Sequence, residues 1–197
     1  MVDAVTSDVT LVVAATSAEA AHVPRHLQLV VTGLGKTAAA VATTRALAGM
    51  DPERTCVVNV GTAGALRAGL EGLHLPGVVL NHDLSAEAIR ALGYDPEERL
   101  TLDGGDGTVL ASGDVFVSDP AVRDALAQRA DLVDMEGYAV AFACRRMGVP
   151  VRLVKHVSDN ADASAMDWPH LVDRSARVLG EWLETTLLGG RRERQES

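Results

Sequence analysis

Several residue types are scarce in this chain of 197 residues, and each scarcity excludes a class of protein. Aromatic residues make up 3% of the sequence, and there are two cysteines. Both Cys56 and Cys144 lie inside apolar segments, where a free thiol usually packs as a small hydrophobic side chain. No segment approaches the roughly 20 apolar residues of a membrane-spanning helix, and the start of the chain lacks the pattern of a secretion signal. The sequence therefore predicts a protein of the reducing cytoplasm that does not enter a membrane.

Basic residues are also few. The chain has 18 Lys and Arg against 27 Asp and Glu, a formal net charge of −9. Nucleic-acid-binding proteins gain much of their affinity from Lys and Arg on phosphates, so this balance argues against a nucleic-acid partner and favours a small-molecule ligand. The final "RRERQES" mixes both signs of charge. We therefore expect a disordered tail over residues 189–197 after a single domain over residues 1–188.

Short apolar runs rich in valine alternate with helical segments along the chain. The predicted strands cover residues 10–15, 27–32, 55–60, 77–80, 108–111, 131–133 and 151–157. The predicted helices cover residues 36–50, 120–129 (with Asp119 as the N-cap), 137–147 and 169–187. This alternation predicts an α/β protein whose largely parallel sheet is covered by helices on both faces. Residues 82–107 are less regular and predict loops, with room for an edge strand.

One glycine-rich segment could be mistaken for a phosphate-binding loop. The sequence "TGLGKT" at residues 32–37 ends in the Gly-Lys-Thr of the nucleoside triphosphate motif and lies between a predicted strand and helix. That motif requires a glycine five residues before Gly35, and Val30 occupies this position. The segment therefore does not predict an ATPase.

Acidic residues follow several predicted strands, where ligands of parallel sheets collect. Glu19 follows the first strand, and Glu136 and Asp159 follow the last two. We expect residues 131–157 to form a right-handed strand, helix and strand crossover, which would bring Glu136 and Asp159 to one edge of the sheet. Their neighbours Asp134 and Asp162 are expected to be solvated acids at strand ends.

Other polar and aromatic residues have simpler interpretations. Spacing along residues 169–187 favours packing roles for Trp168 and Trp182. We expect His156 to be packed and hydrogen-bonded. The remaining histidines considered, His22, His26, His82 and His170, lack the spacing of metal ligands, so no metal or other cofactor is predicted. Gly61, Gly64 and Gly137 could either admit a ligand close to the backbone or simply form turns.

Four segments, in this order and spacing, resemble the nucleoside phosphorylase family, and within it the 5′-methylthioadenosine/S-adenosylhomocysteine nucleosidases. They are "VVNVGTAGAL" at residues 57–66, "ASGDVFV" at 111–117, "DMEGYAVAFACRRMGVP" at 134–150 and "VKHVSDNAD" at 154–162. The "TGLGKT" segment matches a "SGIGK" segment of that family. The resemblance implies a single-domain, three-layer α/β/α fold with a mainly parallel, mixed central sheet.

The resemblance also implies roles for two catalytic acids. Asp159, helped by Ser158, would protonate N7 of a purine so that the base leaves as a neutral molecule. Burial and a neighbouring carboxylate such as Glu136 favour the protonated form that such an acid needs. Glu19 would orient and activate water, and its charge would repel a phosphate dianion, which favours hydrolysis over phosphorolysis.

The remaining roles implied by the resemblance concern substrate binding. Glu136 would accept hydrogen bonds from the two ribose hydroxyls, as an ionised carboxylate can. The other predicted contacts are Met135 on the ribose, Phe116 and the backbone of Val117 on the base, Thr62 and Ala63 on the sugar side, and Tyr94 near the 5′ substituent, partly across a subunit boundary. Lys155 stands where the family has an arginine, and lysine cannot reproduce a bidentate guanidinium contact.

These observations predict a hydrolase of an adenine nucleoside with a modified 5′ position, such as methylthioadenosine, S-adenosylhomocysteine or 5′-deoxyadenosine. Methionine salvage is one setting for this reaction. The resemblance implies a homodimer, with water as the second substrate. A phosphorylase or a futalosine-type hydrolase is an alternative, and so is a nucleoside-binding protein without catalytic activity, because a fold does not prove a function.

Overall fold

The computed structural model describes residues 8–192, which form nine strands, five α-helices and a short 3-10 helix. The strands are β1 (Val9–Ala14), β2 (Gln28–Val31), β3 (Thr55–Ala65), β4 (Leu73–His74), β5 (Val78–Asn81), β6 (Arg99–Thr101), β7 (Val109–Ser112), β8 (Leu132–Asp134) and β9 (Val151–Asp159). The helices are α1 (Lys36–Leu47), α2 (Ala86–Ala91), α3 (Pro120–Leu126), α4 (Gly137–Met147) and α5 (Trp168–Arg192), and the 3-10 helix is Ala163–Asp167.

The sheet contains two groups of parallel strands. In the first group β2, β1, β3 and β9 lie side by side and run parallel, and in the second β5, β7 and β8 do so. The groups meet where the end of β3 pairs antiparallel with β8, through Gly64 with Val133 and Ala65 with Leu132. Strands β4 and β6 add antiparallel pairs on β9 and β5. The predicted α/β class with a mainly parallel, mixed sheet is confirmed.

The predicted crossover between β8 and β9 is wrong in its strand pairing. Strand β9 pairs with β3 along most of its length, whereas β8 runs antiparallel to the end of β3. Both strands nevertheless end beside the same segment, because Gly64 is paired with Val133 of β8 and with Asp159 of β9. Glu136 and Asp159 therefore still reach one region of the sheet, by a route that the sequence did not predict.

Strand β3 extends five residues beyond its predicted end, through the segment of Gly61 and Gly64, for which the sequence left a turn and a close approach to the backbone both open. Neither Gly61 nor Gly64 has a positive φ. A Cβ atom on Gly61 would lie 3.1 Å from Oε1 of Glu19, and one on Gly64 would lie 3.0 Å from Oδ1 of Asp159. These glycines therefore let carboxylate side chains approach the strand, and they do not form a turn.

Most helix predictions agree closely with the structure. Helix α4 has the predicted bounds, and Asp119 caps α3 by accepting a hydrogen bond from the backbone N–H of Ala121. Helix α5 continues to Arg192, into the stretch predicted as a tail, and residues 193–197 lie outside the described part of the chain. Strand β6 confirms the edge strand expected within residues 82–107, whereas α2 and the 3-10 helix were missed because they are short.

Alternating residues of β1 supply the two layers of the core. Leu11 and Val13 pack with residues of α1 and α4 on one face of the sheet, and Val12 and Ala14 pack with Leu179 and Leu183 of α5 on the other. This alternation follows from the two-residue repeat of a strand. The core also contains Cys144 and, at its edge, Trp182, which confirms their predicted packing roles. Cys56 is buried as well.

Two further expectations from the sequence concern His156 and the length of the apolar helices. His156 is buried and its Nδ1 lies 2.9 Å from Oγ of Ser175, so its packed and hydrogen-bonded state is confirmed. Within residues 8–192, no helix combines the length and the apolar character needed to cross a membrane.

The contact between Gly180 of α5 and the segment after β1 yields a stability prediction. A Cβ atom on Gly180 would lie 2.4 Å from the backbone oxygen of His22. Alanine normally favours a helix over glycine by about 1 kcal/mol, but here backbone atoms would have to move. We expect Gly180→Ala to lower the free energy of unfolding by about 1–3 kcal/mol in urea denaturation. Glu181→Ala, at the exposed neighbouring position, should change it by less than about 0.5 kcal/mol. A stabilising Gly180→Ala would contradict the contact.

Candidate active site

A cavity of about 150 Å³ lies where β1, β3, β8 and β9 end. Its wall combines residues of β3, β8 and β9 with residues of the segments that follow β1, β2, β7, β8 and β9. The lining residues are Ala15, Glu19, Leu34, Thr62, Ala63, Gly64, Val115, Phe116, Val117, Val133, Asp134, Met135, Glu136, Ser158, Asp159, Ala165 and Trp168. The charged members of this set are four acids.

The cavity brings together nine of the ten site residues predicted from the sequence. They are Glu19, Thr62, Ala63, Phe116, Val117, Met135, Glu136, Ser158 and Asp159. Tyr94 is the exception, because it follows α2, is 71% exposed and does not line the cavity. Its role at the 5′ substituent stays a prediction that would require a neighbouring subunit.

Glu19 is held rigidly at the end of β1. It is buried, and its Oε1 accepts hydrogen bonds from the backbone N–H and the hydroxyl of Thr62, at 2.8 and 2.9 Å. Its Oε2 accepts from the backbone N–H and the hydroxyl of Thr16, at 3.2 and 3.1 Å. The absence of a side chain on Gly61 leaves room for this approach. Glu19 is thus a fixed hydrogen-bond acceptor on one side of the cavity.

Trp168 does more than pack, which corrects the prediction made for it. It begins α5 and lines the cavity, and its indole N–H donates to the hydroxyl of Thr62 over 2.8 Å. Because that hydroxyl accepts from the indole, its own proton is directed to Glu19. The start of α5 is thereby tied to the strand that holds Glu19.

The prediction of Asp134 as a solvated acid is also wrong. Asp134 is buried and forms an ion pair of 2.9 Å with the ammonium group of Lys155, whose side chain is 2% exposed. Asp134 also accepts hydrogen bonds from the hydroxyl of Ser112 and the backbone N–H of Gly137. Burial alone would lower the pKa of Lys155, but the pair with Asp134 outweighs this effect and raises it. Lys155 therefore carries a buried positive charge behind the cavity.

Glu136 is the titratable group most perturbed by its place in the cavity. It follows β8 and is 7% exposed, and its Oε1 accepts a hydrogen bond of 2.8 Å from the backbone N–H of Gly35. Burial, with a further contribution from the charge of Asp134, raises the pKa of Glu136 to about 7. The hydrogen bond from Gly35 and the charge of Lys155 oppose this shift. Glu136 can therefore change its charge near neutral pH.

Asp159 is the last residue of β9 and faces the cavity together with Ser158. Its Oδ2 accepts a hydrogen bond of 2.7 Å from the Ser158 hydroxyl, and its Oδ1 accepts one of 2.9 Å from the backbone N–H of Ala161. Ala161 has a φ of 49°, in the left-handed region, so the chain turns sharply here and directs its N–H to the carboxylate. The Asp159 carboxyl group is fixed in this way.

The mouth of the cavity is apolar and partly open. Val115 and Phe116 are 55% and 50% exposed, and Leu34 is more exposed still. In contrast, Val117 is buried against the second group of parallel strands. A flat, partly apolar ligand can thus lie against Phe116 with its polar edge toward the acids.

The sequence missed two polar members of the site for different reasons. Trp168 falls on the apolar face of an amphipathic segment, which is the usual signal of packing. The burial of Asp134 depends on its ion pair with Lys155, which lies in another strand. The available signal was a lysine within an apolar strand, because a buried lysine requires an acidic partner. Within residues 8–192, no three His, Cys, Asp or Glu side chains are grouped so as to hold a metal ion.

Comparison with known proteins identifies the family to which this chain is similar. A family model described as the phosphorylase superfamily matches residues 24–185. The aminodeoxyfutalosine nucleosidase of Helicobacter pylori is 27% identical over 176 residues, which cover 77% of this chain and 76% of that protein. The 5′-methylthioadenosine/S-adenosylhomocysteine nucleosidase of Staphylococcus epidermidis is 30% identical over 184 residues, covering 79% of each.

A solved structure shares the fold. It is a mutant 5′-methylthioadenosine/S-adenosylhomocysteine nucleosidase (MTAN) of Helicobacter pylori with 5′-methylthioadenosine in its active site. The two structures match with a TM-score of 0.80 at 22% identity, and the match covers 92% of this chain and 99% of that one. The family match over most of the chain and the shared fold confirm the resemblance found in the sequence. This chain belongs to the phosphorylase superfamily.

Proposed function

We propose that this protein hydrolyses the N-glycosidic bond of an adenine nucleoside with a modified 5′ position, releasing adenine and the ribose derivative. The observation that carries the proposal is that two fixed acids from different parts of the chain are held against one strand, β3. Glu19 is bound at Thr62, and Asp159 lies against Gly64, two residues further along β3. At the usual rise of a strand, these two positions of β3 are about 7 Å apart. Related proteins are named as nucleosidases for methylthioadenosine, S-adenosylhomocysteine and aminodeoxyfutalosine.

Asp159 is the general acid in this proposal. Its carboxyl group transfers a proton to N7 of the purine while the bond between C1′ and N9 breaks, so the electron pair of that bond leaves with a neutral base. The Ser158 hydroxyl and the Ala161 N–H fix both oxygens of the carboxyl group. Phe116 contacts the base at the mouth of the cavity.

Glu19 completes hydrolysis on the sugar side. It accepts a proton from water as the water oxygen forms the new bond to C1′. Its carboxylate repels a phosphate dianion, which disfavours phosphorolysis. The Thr62 hydroxyl, which accepts from the indole of Trp168, donates to Glu19 and keeps the carboxylate in place for this step.

Glu136 binds the ribose in this proposal. An ionised carboxylate accepts hydrogen bonds from both the 2′ and the 3′ hydroxyls, and these bonds strengthen as positive charge develops on the sugar. Met135 packs on the ribose, and Thr62 and Ala63 lie beside it.

Two further parts of the proposal concern the state of the protein in the cell. The buried free thiols of Cys56 and Cys144 are compatible with the reducing cytoplasm. A homodimer would allow Tyr94 of a neighbouring subunit to reach the 5′ group.

The identity of the sugar product tests the reaction. We expect methylthioadenosine, S-adenosylhomocysteine, 5′-deoxyadenosine or aminodeoxyfutalosine to yield adenine and a free ribose derivative at the same rate with and without phosphate. Mass spectrometry of the products distinguishes this outcome from phosphorolysis, since a ribose 1-phosphate would overturn hydrolysis. The Glu19→Gln variant is the matched control and should bind nucleoside but cleave it at least about 100-fold more slowly. Wild-type protein that binds without cleaving would instead indicate a binding protein.

The role of Asp159 is tested by removing its proton. Asp159→Asn keeps the size of the side chain but cannot act as an acid, so we expect kcat to fall by about 10²–10⁴-fold in steady-state assays. Asp162→Asn, in the same segment but outside the cavity lining, should keep kcat within about threefold. Equal activity of the two variants would rule out general acid catalysis by Asp159.

The raised pKa of Glu136 predicts a pH-dependent stability. Between its ordinary pKa of 4.5 and about 7, the folded protein keeps a proton that the unfolded chain has lost, so this group's contribution to stability falls as pH rises. Glu136→Gln removes the titration. We expect the stability of the variant relative to wild type to rise by about 1–3 kcal/mol between pH 5 and pH 8 in urea denaturation.

The same variant should bind nucleoside more weakly. At pH 8 its KM should increase about tenfold or more, because the acceptor of the ribose hydroxyls is lost. Glu181→Gln, on the exposed face of α5, serves as the control for both measurements. A stability difference that is the same at both pH values would contradict the shifted pKa.

A further inference from the structure

The first residues of α1 hold two acidic groups from distant parts of the chain. The backbone N–H of Gly35 donates to Oε1 of Glu136 over 2.8 Å, and the N–H of Lys36 donates to Oδ1 of Asp114 over 2.7 Å. The first turn of α1 has no acidic residue of its own. Both carboxylates therefore interact with the free N–H groups and the positive end of the helix dipole.

The side chain of Lys36 closes a ring of contacts at the same place. Its ammonium group forms an ion pair with Asp83 and donates to Oδ1 of Asn81 over 2.6 Å. Asp83 in turn accepts a hydrogen bond of 2.8 Å from the backbone N–H of Asp114. We call Lys36, Asp83 and Asp114 the α1 clamp.

Asp114 of the α1 clamp is exposed, whereas the ion pair between Lys36 and Asp83 is partly shielded from solvent, which strengthens it. The side chains of Lys36 and Asp83 are 19% and 24% exposed, well below the exposure of ordinary surface ion pairs. Burial alone would raise the pKa of Asp83, but hydrogen bonds from Lys36 and from the backbone of Asp114 lower it below its usual value. The contact between Lys36 and Asp83 is thus a charged, partly buried hydrogen bond.

None of the clamp residues lines the cavity, yet their neighbours in the chain do. Asp114 directly precedes Val115 and Phe116, which have little packing of their own because about half of each is exposed. Gly35 has a φ of 88°, and a Cβ atom there would lie 3.0 Å from Oδ1 of Asp114. The backbone at residues 114–116 therefore depends on its polar contacts with α1.

We propose that Lys36 is a positioning residue that couples recognition of the base to recognition of the ribose. Through Asp83 and Asp114 it holds the segment that carries Phe116 against the start of α1, where Gly35 holds Glu136. The ligand identities rest on the proposed function. The acid and the water-binding group, Asp159 and Glu19, have no contact with the clamp among their hydrogen bonds, so the clamp affects binding more than chemistry.

Lys36→Met keeps an unbranched side chain and removes its charge. We expect the Kd of adenine, measured by calorimetry, and the KM of methylthioadenosine each to rise about tenfold, with kcat changed by less than threefold. Lys36→Arg should keep both the Kd and the KM close to the wild-type values, since arginine also carries a positive charge. Arg177→Met is the matched control, because it removes one member of an exposed ion pair in α5, and it should leave both constants unchanged.

A double-mutant cycle tests whether Lys36 acts through Asp83. If the two residues form one clamp, Lys36→Met combined with Asp83→Asn should weaken adenine binding no more than the more harmful single variant does. Additive losses would contradict the mechanism. If Lys36→Met does not fold, Asp83→Asn alone still tests the proposal, because it should show the same change in KM without a change in kcat.

Hydrogen exchange tests the clamp independently of any ligand. The amides of Asp114, Val115 and Phe116 should exchange about tenfold faster in Lys36→Met than in wild type, and at the wild-type rate in Arg177→Met. If the wild-type protein neither binds nor cleaves any nucleoside, the proposed function is refuted. The exchange rates would still decide whether Lys36 holds this segment. Unchanged exchange, or faster exchange with unchanged adenine affinity, would overturn the proposal.

Discussion

A single buried ammonium group makes the acidic cavity possible. Four carboxylates line the cavity, and moving unpaired charges out of water is costly. Lys155 forms an ion pair with Asp134, and its positive charge also attracts the carboxylates of Glu136 and Glu19. Its single charge cannot neutralise all of these acids, and burial, with a further contribution from the charge of Asp134, raises the pKa of Glu136 to about 7. Burial and the remaining negative charge together therefore allow Glu136 to change its charge near neutral pH.

Strand β3 positions two of these acids, Glu19 and Asp159. It is the longest strand described, and it joins the two groups of parallel strands. Within its last residues, Thr62 holds Glu19, and Gly64 is paired with the ends of both β8 and β9. The chemistry thus depends on a strand whose side chains are mostly small. Larger residues at the two glycines would displace the carboxylates that the strand positions.

The sequence predicted well what depends on neighbouring residues. The bounds of α4, the cap at Asp119 and the alternation of strands and helices follow from local spacing and were found as expected. The family resemblance further identified nine lining residues of the cavity, since those residues lie in recognisable segments. Local signals did not decide between a turn and a close approach to the backbone at Gly61 and Gly64, which lie in a continuous strand.

The remaining errors concern partners that are distant in the chain. The pairing of β9 with β3 instead of β8 depends on how strands order across the sheet, which spacing does not specify. Asp134 resembles any acid at a strand end until Lys155 is placed beside it. The α1 clamp likewise joins three segments whose individual residues are ordinary for loops and helix ends. Such groups become visible only when the fold has brought them together.

The different positions of the two tryptophans give this protein a built-in optical reporter. Trp168 lies at the cavity with its indole N–H bound to Thr62, whereas Trp182 packs at the edge of the core. We expect occupation of the cavity to change the polarity and hydrogen bonding around the indole of Trp168 more than around that of Trp182. The intrinsic emission of the protein therefore contains a responsive and a constant component, from which occupancy can be followed without a label.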